Sequence, residues 1–373
     1  MSPAGLYVHI PFCRQKCAYC NFYSIVLEKD PSPFIHALLK ELSFYADEFE
    51  CFDTIYIGGG TPSILPVQSI ADILTAVGRN YTILPEPEIT VEVNPGDAES
   101  AYLESLRLSG VNRINIGIQS FDDRLLRFLG RRHDHRQAGA AIENAIAAGF
   151  DNIGLDLIYG IPGQTFGLWQ ETLSLALSFR PHHLSCYQLT LEADTSLGQQ
   201  FADNLFDLPG DAAQAEFFFT TADFLENSGY IHYEVSNFAR SASLFSRHNQ
   251  KYWQHQPYLG LGPSAHSFCR GKRWWNHRSV EKYVDALLNG ETPVEDAEIL
   301  TADQLRTEAL FLGFRTRWGI DLCDFEEKCH FNLLDEKRDA LQRLAAAGLI
   351  EISGGRIRPT RTGLAVADQL ALL

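Results

Sequence analysis

The sequence lacks long apolar runs, an excess of basic charge and a paired-cysteine framework. No segment approaches the ~20 consecutive apolar residues that cross a bilayer, so a membrane-spanning protein is excluded. Lys and Arg total 31 against 47 Asp and Glu, a net charge of −16 that repels nucleic-acid phosphates and argues against a dedicated nucleic-acid binder. The first ten residues show no basic stretch ahead of an apolar run, so we expect no targeting peptide and a cytoplasmic location.

What remains is ordinary globular composition, with 45% hydrophobic and 21% charged residues in 373. The first half alternates short β-branched runs with amphipathic stretches, which predicts parallel strands joined by crossover helices. The predicted strands are Leu6 to Ile10, Thr54 to Ile57, Ile89 to Val93, Ile114 to Ile118, Ile153 to Ile158 and Leu184 to Leu189. Six such units fall short of a full barrel of eight, so we predict an α/β fold with a partial (β/α)6 TIM-like barrel.

Beyond that half the regular alternation is lost. A long helix is predicted at Asp211 to Ser228, and a Gly- and Trp-rich stretch runs from Tyr258 to Trp275. From Thr301 we predict helices at Ala302 to Phe314 and Leu333 to Ala347. A two-stranded wing turning at Gly354-Gly355 and a last helix from Thr362 follow. This order is typical of a winged-helix-like domain. We therefore divide the chain into residues 1–195, 196–300 and 301–373. From Glu326 to the end seven basic residues face seven acidic ones, so the last domain lacks the footprint of a DNA reader.

Three of the eight cysteines are concentrated directly after the first predicted strand. Cys13, Cys17 and Cys20 have the spacing C-x3-C-x2-C, on the loop where parallel barrels carry their active sites. Three thiolates on one loop can hold three irons of a cubane cluster and leave the fourth iron open. A structural zinc site would require a fourth ligand, and no partner C-x2-C follows. A non-catalytic zinc-binding interaction protein stays open as an alternative.

The segment CRQKCAYC at residues 13–20 resembles the radical SAM signature, with Tyr19 at the aromatic position. That resemblance implies a 4Fe-4S cluster whose open iron binds S-adenosylmethionine. The segment from Gly58 to Pro62 is similar to the glycine-rich segment of that family. Polar residues follow at the ends of later strands, at Glu92, Gln119 and Asp156.

The run from Tyr7 to Cys13, together with these motifs, resembles the oxygen-independent coproporphyrinogen III dehydrogenase group. The resemblance extends over nearly the whole chain. It implies that Tyr7, Gly59 and Glu92 contact one S-adenosylmethionine, and that Tyr19 also binds this cofactor. It further implies a second cofactor site formed by Gly60, Thr61, Gln119, Arg131 and Asp156. The dehydrogenase carries a further cysteine two residues after the third, where this sequence has Phe22.

That departure favours the haem chaperones related to the dehydrogenase. The segment HNQKYW at residues 248–253 matches their HNxxYW motif, and a neutral imidazole is a common axial ligand of haem iron, so we predict His248 as the haem ligand. If the segment is helical, His248 and Tyr252 lie on one face, and Trp253 is available to stack on a flat macrocycle. His266 is the weaker rival. The resemblance implies haem and haem-requiring apoproteins as partners, and a homodimer. Anaerobic oxidation of coproporphyrinogen III stays the alternative activity.

Overall fold

A computed structural model describes residues 3–372 of the chain. Its strands are β1 (Ala4–Ile10), β2 (Phe12–Cys13), β3 (Ile25–Val26), β4 (Cys51–Gly59), β5 (Thr82–Val93), β6 (Arg113–Gln119), β7 (Ile153–Tyr159), β8 (His183–Gln188), β9 (Ile231–Glu234), β10 (Asn237–Ala239), β11 (Tyr258–Leu261), β12 (His266–Cys269), β13 (Lys272–Asn276), β14 (Val294–Ile299), β15 (Ile320–Asp321), β16 (Ile350–Ser353) and β17 (Arg356–Pro359). Among these residues no helix combines the length and the apolarity that a membrane crossing requires.

The α-helices are α1 (Ser32–Glu41), α2 (Val67–Asn80), α3 (Ser100–Leu108), α4 (Asp123–Phe128), α5 (His135–Ala147), α6 (Phe166–Ser178), α7 (Ser196–Ala202), α8 (Asp211–Asn227), α9 (Arg247–Trp253), α10 (Val280–Leu288), α11 (Ala302–Gly313), α12 (Leu322–Cys329), α13 (Leu333–Glu336), α14 (Arg338–Ala346), α15 (Arg361–Ala365) and α16 (Ala367–Leu370). Side-chain caps define several helix starts. Asp134 with Gln137, and Thr301 with Gln304, form reciprocal capping boxes that satisfy the first free N–H groups of α5 and α11.

One twelve-stranded sheet organises the molecule, in the order β14-β13-β12-β11-β1-β4-β5-β6-β7-β8-β10-β9. The strands from β11 through β1 to β8 are parallel, and both edges continue as antiparallel strands. The α/β class and the six predicted parallel strands are confirmed. Closure of the sheet into a partial barrel stays a prediction.

The two faces of the parallel strands differ in chemistry. One face carries aliphatic side chains such as Leu6, Ile57 and Val91, which are buried against α1, α2 and α3 in the main hydrophobic core. The other face carries polar residues at the alternate positions, among them Thr90, Asn115, Asp156 and Ser185. Because strand residues alternate between faces, the chain buries a polar surface opposite its apolar one.

The stretch from Tyr258 to Trp275 contains strands that the sequence pattern did not predict. It forms β11, β12 and β13, which extend the main sheet instead of leaving it. β11 pairs with β1 in parallel, and the next strands follow as tight antiparallel pairs. These strands have only four or five residues each, and β11 contains Gly260, so they lack the alternation that identifies the earlier strands.

The C-terminal module, residues 302–372, has its own hydrophobic cluster around Phe314, Phe325 and Ile357. The predicted wing is confirmed as β16 and β17, joined by Gly354 and Gly355, both with positive φ. A third strand, β15, and helix α12 were not predicted. The predicted helix from Leu333 to Ala347 is interrupted at Lys337, which separates α13 from α14.

A buried carboxyl group joins the edge strands to the helices. Glu41 of α1 accepts hydrogen bonds from the Gly262 backbone N–H at 2.8 Å, from Asn276 Nδ2 at 2.6 Å and from the Tyr283 hydroxyl. Burial outweighs these bonds and raises the pKa of Glu41 to about 7. Between its ordinary value of 4.5 and about 7 the folded protein therefore holds a proton that the unfolded chain has released.

We expect Glu41→Gln to remove a pH dependence of stability. The unfolding free energy of wild type relative to Glu41→Gln should fall as pH rises from about 4.5 to about 7, by up to ~1.4 kcal/mol per pH unit. Urea unfolding at several pH values in this window measures the difference. The exposed Glu104→Gln variant is the control. A difference between wild type and Glu41→Gln that does not change with pH would contradict the expectation.

Candidate functional site

The cysteine loop lies at the carboxyl ends of the parallel strands, directly after β1. Cys13 is buried at the end of β2, whereas Cys17 and Cys20 are half-buried, and none of the three forms a disulfide. Two backbone hydrogen bonds hold the loop, from Ala18 N to Leu129 O at 3.1 Å and from Leu197 N to Ala18 O at 2.9 Å. The loop is therefore tied to the segment that follows α4 and to the first turn of α7.

Two of the thiol groups already have hydrogen-bond donors beside them. Thr61 Oγ1 lies 3.4 Å from Cys13 Sγ, and Arg131 Nη1 lies 3.3 Å from Cys17 Sγ. Donors of this kind stabilise the charged form of sulfur. Burial raises the pKa of Cys20 to about 11, so a metal would have to displace that proton.

The same loop has room for a cubane cluster beside Cys13. Within residues 3–372 no three His, Cys, Asp or Glu side chains surround one common metal position. A cubane does not need such a group, because each thiolate binds a different iron. A Cβ atom at Gly60 would lie 3.1 Å from Cys13 Sγ and 2.7 Å from the Phe12 carbonyl oxygen. Only glycine leaves the space beside this sulfur open.

The glycine-rich segment meets Glu92 at the end of β4. Glu92 accepts hydrogen bonds from the Tyr56 hydroxyl at 2.8 Å and from the Gly59 backbone N–H at 3.2 Å. Burial raises the pKa of Glu92 to about 7 despite these bonds, with the nearby Asp156 carboxyl adding to the rise. A carboxyl group with a pKa near 7 can accept a further charged donor, such as an amino group.

Gly59 has a positive φ of 111°, and a side chain there would lie 2.6 Å from the His9 ring. His9 is fixed by the Tyr7 hydroxyl at 3.0 Å from Nδ1 and by the Tyr23 carbonyl at 2.8 Å from Nε2. Burial lowers the pKa of His9 to about 4, so its ring is neutral at pH 7. Tyr7 pairs with Tyr56 in the register of β1 and β4, three residues before Gly59.

The remaining predicted contacts form a second group around Arg131. Its Nη2 donates to the Gly117 carbonyl at 2.7 Å, and the side chain of Gln119 lies over the same glycine. Burial alone would lower the pKa of Arg131, but Tyr19 and Cys17 beside it raise that pKa and keep the guanidinium charged. Asp156 accepts a hydrogen bond from Asn115 Nδ2 at 2.5 Å, and burial raises its pKa.

Asp97 was missed by sequence reasoning. It pairs with Arg14 at 3.3 Å and with Arg132, and it accepts a hydrogen bond from Ser63 Oγ at 3.1 Å. These contacts tie the cysteine loop to the turns after β4 and β5. The only sequence signal was its position five residues after Glu92, in a turn that starts at Asn94 and Pro95.

His248 lies at the opposite end of the polar face, next to the amino ends of the strands. The predicted helix is present as α9, and His248 and Tyr252 share one of its faces. His248 Nδ1 lies 2.9 Å from Thr54 Oγ1, and Nε2 lies 2.9 Å from the Tyr252 hydroxyl. The side chain is 1% exposed, and burial lowers its pKa to about 3. Haem ligation by His248 would require one of these hydrogen bonds to break.

Trp253 was proposed to stack on a flat macrocycle. Its ring faces the C-terminal module, with the Arg315 guanidinium 5.4 Å from the ring centroid. His266, the weaker rival of His248, stacks on Trp275 with ring centroids 5.7 Å apart. Trp253 and His266 therefore contact different residues from those that surround His248.

Family models match two parts of the chain. The model of the Radical SAM superfamily matches residues 7–176, and the model of the HemN C-terminal domain matches residues 300–366. Among solved structures, the coproporphyrinogen III oxidase HemN from Escherichia coli, described as a radical SAM enzyme, is similar over 99% of this chain and 89% of its own. Its TM-score is 0.86 and the sequence identity is 25%. Both comparisons indicate a radical SAM protein of the HemN type.

Relatives found by sequence similarity indicate the family within this superfamily. The protein named haem chaperone HemW of Lactococcus lactis is 36% identical over 338 residues, which is 89% of this chain and 87% of the relative. The protein of the same name from a Synechocystis strain is 34% identical over 330 residues, 86% of this chain and 80% of the relative. The chain therefore belongs to the HemW family of the radical SAM superfamily.

We expect Gly60→Ala to impair cluster assembly without unfolding the protein, because the added methyl group would contact Cys13 Sγ and the Phe12 carbonyl. Iron and sulfide content after anaerobic reconstitution measures the effect. Gly78→Ala in α2 is the matched control, since no atom lies within 4 Å of the added methyl there. Equal iron and sulfide in the two variants would rule out this role of Gly60.

Proposed function

We propose that the protein is a haem chaperone that binds haem and delivers it to haem-requiring apoproteins. The observation that carries the proposal is the likeness, over nearly the whole chain, to proteins named haem chaperone HemW. Phe22 supports it. This side chain is 68% exposed and stands two residues after Cys20, where the dehydrogenase pattern has a further cysteine.

The cofactors implied by the family are a 4Fe-4S cluster and S-adenosylmethionine. Cys13, Cys17 and Cys20 would hold the cluster, and the free space at Gly60 with the donors Thr61 and Arg131 suits charged sulfur there. When bound, these groups supply one-electron chemistry at the open iron.

The polar side chains at the carboxyl ends of the parallel strands have proposed roles in binding S-adenosylmethionine. Glu92 would bind the amino group of S-adenosylmethionine, beside Tyr7, Tyr19 and Gly59. The charged Arg131 would attract a carboxylate, in a second site with Gly60, Thr61, Gln119 and Asp156. The assignments rest on the family resemblance and on the grouping of these side chains at the carboxyl ends of the strands.

A second candidate function is oxidation of coproporphyrinogen III. The structural likeness to the Escherichia coli enzyme, with its TM-score of 0.86, favours it. Phe22 argues against it, because the residue cannot supply the sulfur that the dehydrogenase pattern places there. We propose the carrier function as the leading one. We also propose a cytoplasmic location and a homodimer as its working form.

Two assays on one anaerobically reconstituted sample separate these functions. We expect stoichiometric haem uptake, followed by the optical spectrum, and no porphyrinogen-dependent formation of 5′-deoxyadenosine. Cys13→Ala should lose iron and sulfide, because three thiolates are the fewest that anchor such a cluster on this loop. Turnover of coproporphyrinogen III to protoporphyrinogen IX would replace the carrier function by the second candidate. Zinc without sulfide in the wild type would refute both cluster-based functions.

We expect haem binding to weaken in His248→Ala, because His248 belongs to the proposed haem site. Haem titration of the variant measures the loss. Thr54→Val is the matched control, since it removes the hydrogen bond to Nδ1 but leaves the imidazole in place. A titration of His248→Ala that matches the wild type would remove His248 from the site.

A further inference from the structure

A cavity of about 310 Å³ lies between the antiparallel extension of the main sheet and helix α11 of the C-terminal module. Its floor includes Tyr258, Phe268 and Arg273 from β11, β12 and β13, and its opposite wall includes Glu308 and Phe311. Ligand pockets commonly enclose ~300 to 1,000 Å³, so this one is large enough to hold part of a flat ligand. Its lining is mostly apolar and aromatic.

Two side chains in the cavity are suited to a metalloporphyrin. His255 stacks flat on Phe268, with ring centroids 4.5 Å apart and an interplanar angle of 13°. Its buried Nε2 has no aligned hydrogen-bond partner among residues 3–372, although Glu308 Oε2 lies 3.3 Å away. Burial lowers the pKa of His255, which favours the neutral imidazole that binds iron. Iron ligation by Nε2 would therefore require only Glu308 to move from this nitrogen.

The second side chain is Arg273. Its guanidinium grips Glu308 with two hydrogen bonds, of 2.9 Å to Oε1 and 2.6 Å to Oε2. Arg binds any carboxylate in this two-pronged way, including a propionate of haem. Glu308 thus occupies the place that a ligand carboxylate would take, and it also lies next to His255.

The cavity is connected to the motif that pointed to haem. Tyr252 lines it, and the Tyr252 hydroxyl is hydrogen-bonded to His248 Nε2 at 2.9 Å. Tyr252 packs edge-on against Tyr258, with ring centroids 4.7 Å apart. His248 can therefore influence a ligand in the cavity through Tyr252 while remaining enclosed itself.

From this arrangement we propose that the cavity is the haem site: His255 Nε2 ligates the iron, Arg273 binds a propionate, and Glu308 holds Arg273 in the absence of haem. This assignment rests on the proposed haem-carrier function. His248 is then a positioning residue that orients Tyr252. The cavity takes only one edge of the macrocycle and leaves the rest exposed, which suits a cargo that has to be passed on.

The test uses ferric haem and metal-free protoporphyrin IX as probes of the full-length reconstituted protein. His255→Gly should lose the histidine-ligated haem spectrum, weaken haem affinity by about tenfold or more, and regain the spectrum on addition of imidazole. His255 has a φ of 53°, which glycine adopts without strain, so the variant is expected to fold. Protoporphyrin affinity, which involves no iron, should change little.

Two further variants test whether Arg273 binds a propionate. Arg273→Leu should weaken haem and protoporphyrin alike, whereas Glu308→Gln should strengthen both, because it removes the internal competitor for Arg273. His36→Ala, at an exposed histidine on α1, is the control. Cluster absorbance in each sample checks that the fold is retained.

The outcomes are distinct for the two proposals. A wild-type protein that takes up no haem would overturn the carrier function itself. Haem uptake by the wild type with an unchanged spectrum in His255→Gly would overturn the assignment of His255 alone. Loss of the ligated spectrum in His248→Ala, with recovery on added imidazole, would make His248 the iron ligand instead. Retention of that spectrum at reduced affinity in His248→Ala supports the positioning role.

Discussion

The site depends on one constraint: the parallel sheet of this protein buries a polar face. Each buried polar group on that face needs a hydrogen-bond partner. The chain meets much of this requirement with hydrogen bonds between neighbouring strands, although Asn115 Oδ1 and Asp156 Oδ1 have no partner among the described residues. Tyr56 donates to Glu92 across β4 and β5, and Asn115 donates to Asp156 across β6 and β7. These cross-strand bonds fix the carboxyl groups before any cofactor arrives. A site built in this way is rigid because its polar groups hold one another.

The cysteine loop depends on that rigid face in turn. Its own sequence is short and has few apolar side chains, so its position comes from contacts to other elements. Gly60 and Thr61, directly after β4, contact Cys13. Arg131, from the segment after α4, donates a hydrogen bond to Cys17. Arg14 and Arg132 meet at Asp97 from two sides. Since several strand ends contribute one contact each, the loop is positioned by the topology of the sheet.

Sequence reasoning recovered the parts of the fold whose signals are local. The six parallel strands were found because β-branched residues recur in short runs separated by amphipathic helices, and the Gly354-Gly355 wing because adjacent glycines suit a tight hairpin. β11 to β14 were missed as strands. β14 is an edge strand with mostly exposed, acidic residues, and β11 has only four residues including a glycine. β11 forms through its parallel pairing with the distant β1, which no local pattern records, and β12 to β14 then add to it one after another.

The residues of the candidate sites also differ in whether a local sequence pattern or only tertiary packing reveals them. The cysteines and the glycine-rich segment carry recognisable spacing, so they were predicted by residue. His255 was overlooked because it follows the HNxxYW segment without belonging to it, and only folding places it on Phe268 and beside a helix more than fifty residues later. His248 shows the converse. Its motif is plain in the sequence, yet its enclosure by Thr54 and Tyr252 follows from tertiary packing.

The attachment of the C-terminal module has a mechanical consequence. On one side it is joined to β9 by backbone hydrogen bonds, from Val235 N to Arg315 O at 2.9 Å and from Arg317 N to Tyr233 O at 3.1 Å. Elsewhere Arg361 binds Asp223 and Glu226 of α8 through partly exposed ion pairs. Salt screens exposed ion pairs far more than buried backbone bonds. Rising ionic strength should therefore weaken the attachment of the module at Arg361 before it weakens the backbone bridge to β9.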